Sequence, residues 1–282
     1  MKVQKNRVQL SDIIKHRRKD LQREMELIPI DILKDEIESS KTDSDIIWKN
    51  SFSFKKALDK DDDVGVICEY KPASPSMGDI SNITIEDALK AFEQSGASAI
   101  SILTEERYFK GSLENLRSAH TLIDIPTLRK DFIVNEYQIY QAKNAGAGAV
   151  LLMNSIYPNL EEGISICNEL KIDPLVECRN REDISNALNA GAEIIGINNR
   201  NLENFVVELK TTEKLAEYVP SEVILVSESG VRSKDDAIQL SEYGVDALLI
   251  GTSIMVADGY NEMLKTATNI INAVKGERIV RI

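Results

Sequence analysis

Glu69 and Lys71 stand two positions apart where the apolar run VGVIC ends, in the stretch EYKPASPS. Alternate side chains of an extended backbone share a face, so these two point one way while Cys68 and Tyr70 point the other. An acid and a base on one face of a strand exit form either a solvated ion pair or two halves of a proton-transfer apparatus. The chain repeats the pattern further on. RKDF places Lys130 and Phe132 on one face, PLVEC ends at Glu177, and GINNR carries Asn198. SESG brings Glu228, Ser229 and Gly230, and IGTS brings Gly251 and Thr252. One charged residue at a strand end is commonly just the chain leaving its core. Two lysines, glutamates and an asparagine at exits of the same polarity imply a common mouth.

Something must gather them. Four stretches, beginning at Gln94, Asn144, Asn189 and Glu242, resemble one another: a helical pattern closed by a glycine, then an apolar run of strand length. The glycines, Gly96, Gly146, Gly191 and Gly244, recur about every fifty residues, and a single βα unit takes only ~30, so each interval holds two. The other strands fall between them, at 64–70, 125–132, 173–178 and 222–228, with amphipathic helical segments in the gaps. Eight near-continuous apolar strands, each followed by a helix, predict a (β/α)8 TIM barrel of class α/β. An open doubly wound sheet is the alternative, but no G-x-G-x-x-G follows the first strand. Residues 1–60 are expected to be an N-terminal helical extension and 61–282 the catalytic barrel, one structural domain overall. Whether that extension plugs the bottom or covers the catalytic face is not set by the sequence.

In such barrels chemistry sits at the carboxyl ends of the strands, and the loops after strands 7 and 8 often hold phosphate on backbone N–H groups. Gly230 and Gly251 allow close approach of an anion; Ser229 and Thr252 offer hydroxyls, and Ser74 and Ser76 close a third side. The expected ligand is therefore a small phosphorylated molecule. Composition agrees: a formal net charge of -12 argues against a broad nucleic-acid surface. No stretch approaches a membrane span, the start MKVQKNRVQL lacks a signal-peptide core, and three cysteines without metal spacing suit a reduced, cytoplasmic compartment. The two histidines, His16 and His120, lie away from the predicted exits, so no metal is expected. Cys68 and Cys178 neighbour inward glutamates and should face the helices as small buried fillers.

Taken in order, EYKPASPSMGDI, SILTEERYFKGS, LRKDFIV, PLVEC, IGINNRNL, VSESGV and LLIGTSIM resemble the indole-3-glycerol phosphate synthase family over residues 50–256. Pro72, Met77 and Asp79 depart from that family's usual, often basic, residues. The resemblance implies conversion of 1-(2-carboxyphenylamino)-1-deoxyribulose 5-phosphate to indole-3-glycerol phosphate, carbon dioxide and water in tryptophan biosynthesis, without cofactor or metal. It implies Lys130 as general acid, Glu177 as proton acceptor, and Lys71 as partner of the substrate carboxylate and acid in the later step. Glu69, Asn198 and Glu228 would orient substrate and lysines. Ser229, Gly230, Gly251 and Thr252 would take the phosphate, and Phe109, Phe132, the Leu151–Leu152 region and Ser74 the aromatic end. The residues by themselves leave open a class I aldolase-type lyase with a Schiff-base lysine, a non-catalytic phosphate-ligand barrel, and a sister barrel such as phosphoribosylanthranilate isomerase. Protein partners are not readable.

Overall fold

The computed structural model describes residues 8–40 and 52–281; the opening charged residues 1–7 and part of the extension, 41–51, fall outside the described residues. Eight parallel strands close on themselves: β1 (Gly65–Tyr70), β2 (Ala99–Leu103), β3 (Thr127–Lys130), β4 (Ala149–Met153), β5 (Asp173–Cys178), β6 (Ile194–Asn198), β7 (Ile224–Glu228) and β8 (Ala247–Ile250). β1 pairs with both β2 and β8, which completes the (β/α)8 barrel. A two-stranded hairpin, Ala73–Ser74 with Gly78–Asp79, forms in the loop after β1.

The alternation expected of the strands is complete. Val66, Cys68 and Tyr70, like Val176 and Cys178, pack outward among the helices. Ile67, Ala99, Leu128, Ala149, Leu175, Ile194, Val226 and Ala247 fill the interior. All three cysteines are buried thiols, and burial pushes Cys68 up to about 12, so its thiolate is not a nucleophile here. The apolar interior stops one residue short of the rim. Above it the strands end in Glu69, Lys130, Glu177, Asn198 and Glu228, so the polar groups form the top layer of a packed core.

Helices cover the outside: α1 (Leu10–Leu27), α2 (Ile30–Ser40), α3 (Ser53–Leu58), α4 (Ile85–Ser95), α5 (Glu106–Phe109), α6 (Leu113–Leu122), α7 (Tyr137–Asn144), α8 (Leu160–Glu169), α9 (Arg181–Asn189), α10 (Lys210–Ala216), α11 (Lys234–Ser241), α12 (Thr252–Met255) and α13 (Tyr260–Ala273). Their starts are marked in the sequence. Thr84, Ser112, Asn159, Asn180 and Ser233 each accept a backbone N–H of the first turn through the side chain. The repeat glycines Gly96, Gly146, Gly191 and Gly244 all have φ between +73° and +86°, the left-handed turn that ends a helix and starts the next strand.

The described residues of the extension touch both poles of the barrel, plugging one and reaching the rim of the other without lining the cavity there. α3 closes the bottom: Phe54 and Leu58 are fully buried in the barrel interior, and the Lys55 backbone N–H donates to Asp173 Oδ2 at the foot of β5. α1 lies at the opposite rim, where Arg17 reaches Asp131 just past β3 and His16 Nδ1 lies 2.7 Å from the Tyr108 hydroxyl. α2 then runs down beside α7, with Lys34 over the Tyr140 ring and Glu36 accepting from Asn144. At the far end the tail is locked to the barrel foot. Arg281 donates to Asp246 Oδ2 at 2.9 Å and to the Val223 carbonyl at 2.6 Å, and Arg278 holds the other Asp246 oxygen at 2.8 Å.

Candidate active site

The strand exits open on a cavity of about 510 Å³. Glu69, Lys71, Ser74, Ser76, Phe109, Lys130, Phe132, Leu151, Glu177, Asn198, Ser229, Gly230, Gly251 and Thr252 all line it. Residues spread over 184 positions of sequence thus meet at one mouth, because eight parallel strands end on one rim. Leu152 does not join them; it faces the helices, one residue out of phase with Leu151. His16, expected away from the exits, stands near this rim against Tyr108.

Two ion pairs form the cavity floor. Lys71 Nζ donates to Glu69 Oε1 at 2.5 Å. Lys130 donates to Glu228 Oε2 and sits 4.0 Å from Glu69 Oε2. Glu228 itself is fully buried beneath Lys130, away from the open wall. Burial alone would lower the Lys130 pKa, but Glu228, Glu69 and Glu177 outweigh it and hold the ammonium above its ordinary value. Burial would likewise neutralise Glu69, yet Lys71, Lys130 and Arg200 keep its carboxyl below the usual range.

Glu177 goes the other way. Its Oε2 accepts from Asn198 Nδ2 at 2.9 Å, while Oε1 is buried without a hydrogen-bond partner. Burial first, and the negative charge of Glu228 second, raise it to about 7, against the pull of Lys130 and Asn198. A carboxyl poised near neutrality can accept or give a proton at working pH. The floor therefore brings a lysine held charged by its carboxylates beside a carboxyl whose ionisation burial opposes.

On the other side of the mouth, the turn after β7 puts Ser229 at φ +66° and Gly230 at φ +105°. The φ at Gly230 is one that L side chains rarely adopt, and a Cβ there would also displace the end of Leu209, 2.4 Å away, so the backbone conformation requires glycine. Ser253 Oγ donates to the Val231 carbonyl at 2.8 Å and ties this turn to the loop after β8. Gly251 has an added part: a Cβ there would meet Glu69 Oε1 at 2.4 Å and Lys71 Nζ at 2.9 Å, so its bareness makes room for that ion pair. Phe109 and Phe132 face each other at 6.1 Å between ring centroids and wall the end near Lys71 and Ser74.

Sequence reasoning passed over Arg200. It stands two residues past Asn198, lines the cavity, and is anchored by its own N–H to Asn198 Oδ1 at 3.0 Å. Burial draws its pKa down and Glu69 partly restores it. Its place in an exit loop was the available signal. Arg17, Arg129 and Asp131 gave none, being a buried charge cluster in which Asp131 accepts from both arginines, from Thr104 Oγ1 at 2.8 Å and from the Phe132 N–H at 2.8 Å. That cluster fixes the backbone on either side of Asp131, and so the aim of Lys130 and Phe132. Among the described residues no group of three or more His, Cys, Asp or Glu could hold a metal ion.

Fold and site together define a (β/α)8-barrel protein with a cluster of acids and lysines at the carboxyl-terminal rim of its strands. Residues 10–267 match the family described as Indole-3-glycerol phosphate synthase. A protein of that name from Methanothermobacter marburgensis is 44% identical over 269 residues, covering 95% of this chain and 94% of its own. One from Lachnospira eligens is 46% identical over 231 residues, with 79% and 85% covered. Among solved structures, tryptophan synthase from M. tuberculosis superposes with a TM-score of 0.60 at 14% identity, over 79% of this chain and 99% of that one, a likeness of fold alone. The chain belongs to the indole-3-glycerol phosphate synthase family.

Proposed function

We infer that this chain closes the indole ring in tryptophan biosynthesis, as a decarboxylating carbon–carbon lyase. It converts 1-(2-carboxyphenylamino)-1-deoxyribulose 5-phosphate to indole-3-glycerol phosphate, carbon dioxide and water. The observation that carries the assignment of roles is the floor of the cavity, where a lysine kept charged chiefly by Glu228 and Glu69 faces Glu177, a glutamate raised to about 7.

The phosphate docks on the backbone N–H groups around Gly230, Gly251 and Thr252, with the Ser229 and Thr252 hydroxyls beside them. The aromatic ring lies against Phe109 and Phe132, beside Leu151. Lys71 and Ser74 take the carboxylate, and Arg200 adds a cation where the long axis of the ligand crosses the mouth. Attack of the ring carbon on the ketone carbon forms the C–C bond and leaves negative charge on the ketone oxygen. Lys130 supplies a proton to that oxygen. A raised pKa does not hinder the transfer, because an alkoxide is a far stronger base than an amine. Loss of carbon dioxide returns its bonding pair to the ring. A second proton, from Lys71, lets the hydroxyl leave as water, and Glu177 takes the proton released from carbon as the new double bond forms. Two protons go in and one comes out, so one is drawn from solvent for each carboxylate lost.

A Schiff-base mechanism needs a free amine. Lys130 is held in the opposite state by its carboxylates, which argues against the aldolase alternative. The test is direct: purified protein mixed with the carboxyphenylamino substrate should develop indole fluorescence and release carbon dioxide in equal amounts. Binding without release of carbon dioxide would leave only a phosphate-ligand barrel.

A further inference from the structure

Gly196 lies on the inner wall of β6, in register with Glu177 on β5. A Cβ there would stand 2.3 Å from Glu228 Oε1 and 3.3 Å from Leu175 Cδ1. Its φ is not in the left-handed region, so space and not backbone freedom demands the missing side chain. Through that gap Glu228, rooted on β7 beside Asn198, crosses the face of β6 toward β5. One of its oxygens binds the Lys130 ammonium; the other, Oε1, is fully buried with no hydrogen-bond partner, as is Oε1 of Glu177. The remaining charges are Arg179 beyond β5, which faces Glu177, and Glu69, which shares Lys130 with Glu228 and is itself faced by Lys71 from the β1 exit and Arg200 beyond β6.

We propose that Gly196 is a gap through which a single carboxylate, Glu228, both grips Lys130 and lies against Glu177, tying the acid and the base of the reaction into one titrating unit. Glu228 acts through its neighbours and is a positioning residue. The inference rests on the roles given above to Lys130 and Glu177. Its physical basis is that one negative charge favours the charged form of a lysine and disfavours the charged form of a carboxylate. Placed between the two, it sharpens both, and the raised Glu177 fits that position. Any side chain at residue 196 would force the Glu228 carboxylate aside.

The test is the pH dependence of kcat/KM in wild type, Gly196→Ala, Glu228→Gln and Glu177→Gln. Wild type should rise with unit slope through a pH of about 7, and this acid limb should vanish in Glu177→Gln. The methyl of Gly196→Ala meets chiefly the far end of a flexible side chain, so the variant should fold with Glu228 displaced; Glu228→Gln keeps the shape and removes the charge. Both should move the acid limb to lower pH by about one unit. Glu228→Gln should also bring the alkaline fall-off to lower pH, since Lys130 loses its leading anionic partner. A merely structural role would lower kcat and leave the limbs in place, and stationary limbs in both variants overturn the coupling. A limb that persists in Glu177→Gln overturns instead the assignment of the base on which the coupling rests.

Discussion

Replacing Glu177 by glutamine should stabilise the ligand-free protein while leaving it only a residual, measurable activity, and the gain should depend on pH in a defined way. The substitution keeps the size of the side chain and an oxygen for Asn198. It removes a carboxyl held at about 7 against an ordinary 4.5, burial being the main cause. Below the ordinary value the carboxyl is protonated in folded and unfolded chains alike. As pH rises the unfolded chain releases its proton first, so wild-type stability falls until the folded group titrates as well. At about 1.4 kcal/mol per pH unit, that gap makes the wild type about 3 kcal/mol less stable above neutrality than a permanently neutral equivalent. Glutamine does not titrate. Urea unfolding of both proteins, from about pH 4 to about pH 8.5, should therefore show the variant's advantage growing by about 3 kcal/mol and then levelling off. A stability difference that stays flat over this range would refute the reasoning, since it would mean that the folded protein does not hold this proton more tightly than the unfolded chain.

Lys130→Ala should lose at least ~10² in kcat with the fold intact by circular dichroism, and near-normal turnover would remove it from the role of acid. Asp131→Ala leaves the buried guanidinium groups of Arg17 and Arg129 without their shared anion and should cost about 3–5 kcal/mol in urea unfolding. Simultaneous replacement of Arg17, Arg129 and Asp131 by apolar residues should cost less than the single change, the sign expected when an unpaired charge and not a lost attraction dominates. Arg200→Ala should raise KM more than it lowers kcat, and a pure kcat effect would point to a part in the chemical steps instead.

The fold was legible because a parallel barrel writes itself twice in sequence. Its strands are apolar on both faces, and its helices end on glycines that must turn left-handed, so Gly96, Gly146, Gly191 and Gly244 mark the units before any contact is known. The period-two rule then told Glu69 from Cys68 and Lys130 from Arg129. What stayed hidden depends on partners distant in the chain. Arg17 is explained only by Asp131, 114 residues on, and a buried arginine facing the helices at 129 runs against the apolar pattern of its strand. Gly196 reads as one more small residue in a strand until Glu228 is seen to cross it. Arg200 was visible as a letter within a motif but not as a wall of the cavity, because an exit loop carries no periodicity to aim a side chain. The extension was ambiguous for a related reason: three amphipathic helices state that they must be covered, without stating by which pole of the barrel.

That division of the extension has a practical corollary for anyone joining this protein to another. The first helix touches the rim through His16 and Arg17, whereas Arg281 is moored to the opposite pole by Asp246 and the Val223 carbonyl at the foot of the barrel. A second enzyme tethered ahead of Leu10 would join the chain through the helix that contacts the rim of the opening, where a short linker could raise the local supply of a shared metabolite. The same enzyme hung from the tail would face the sealed underside and gain only proximity in name.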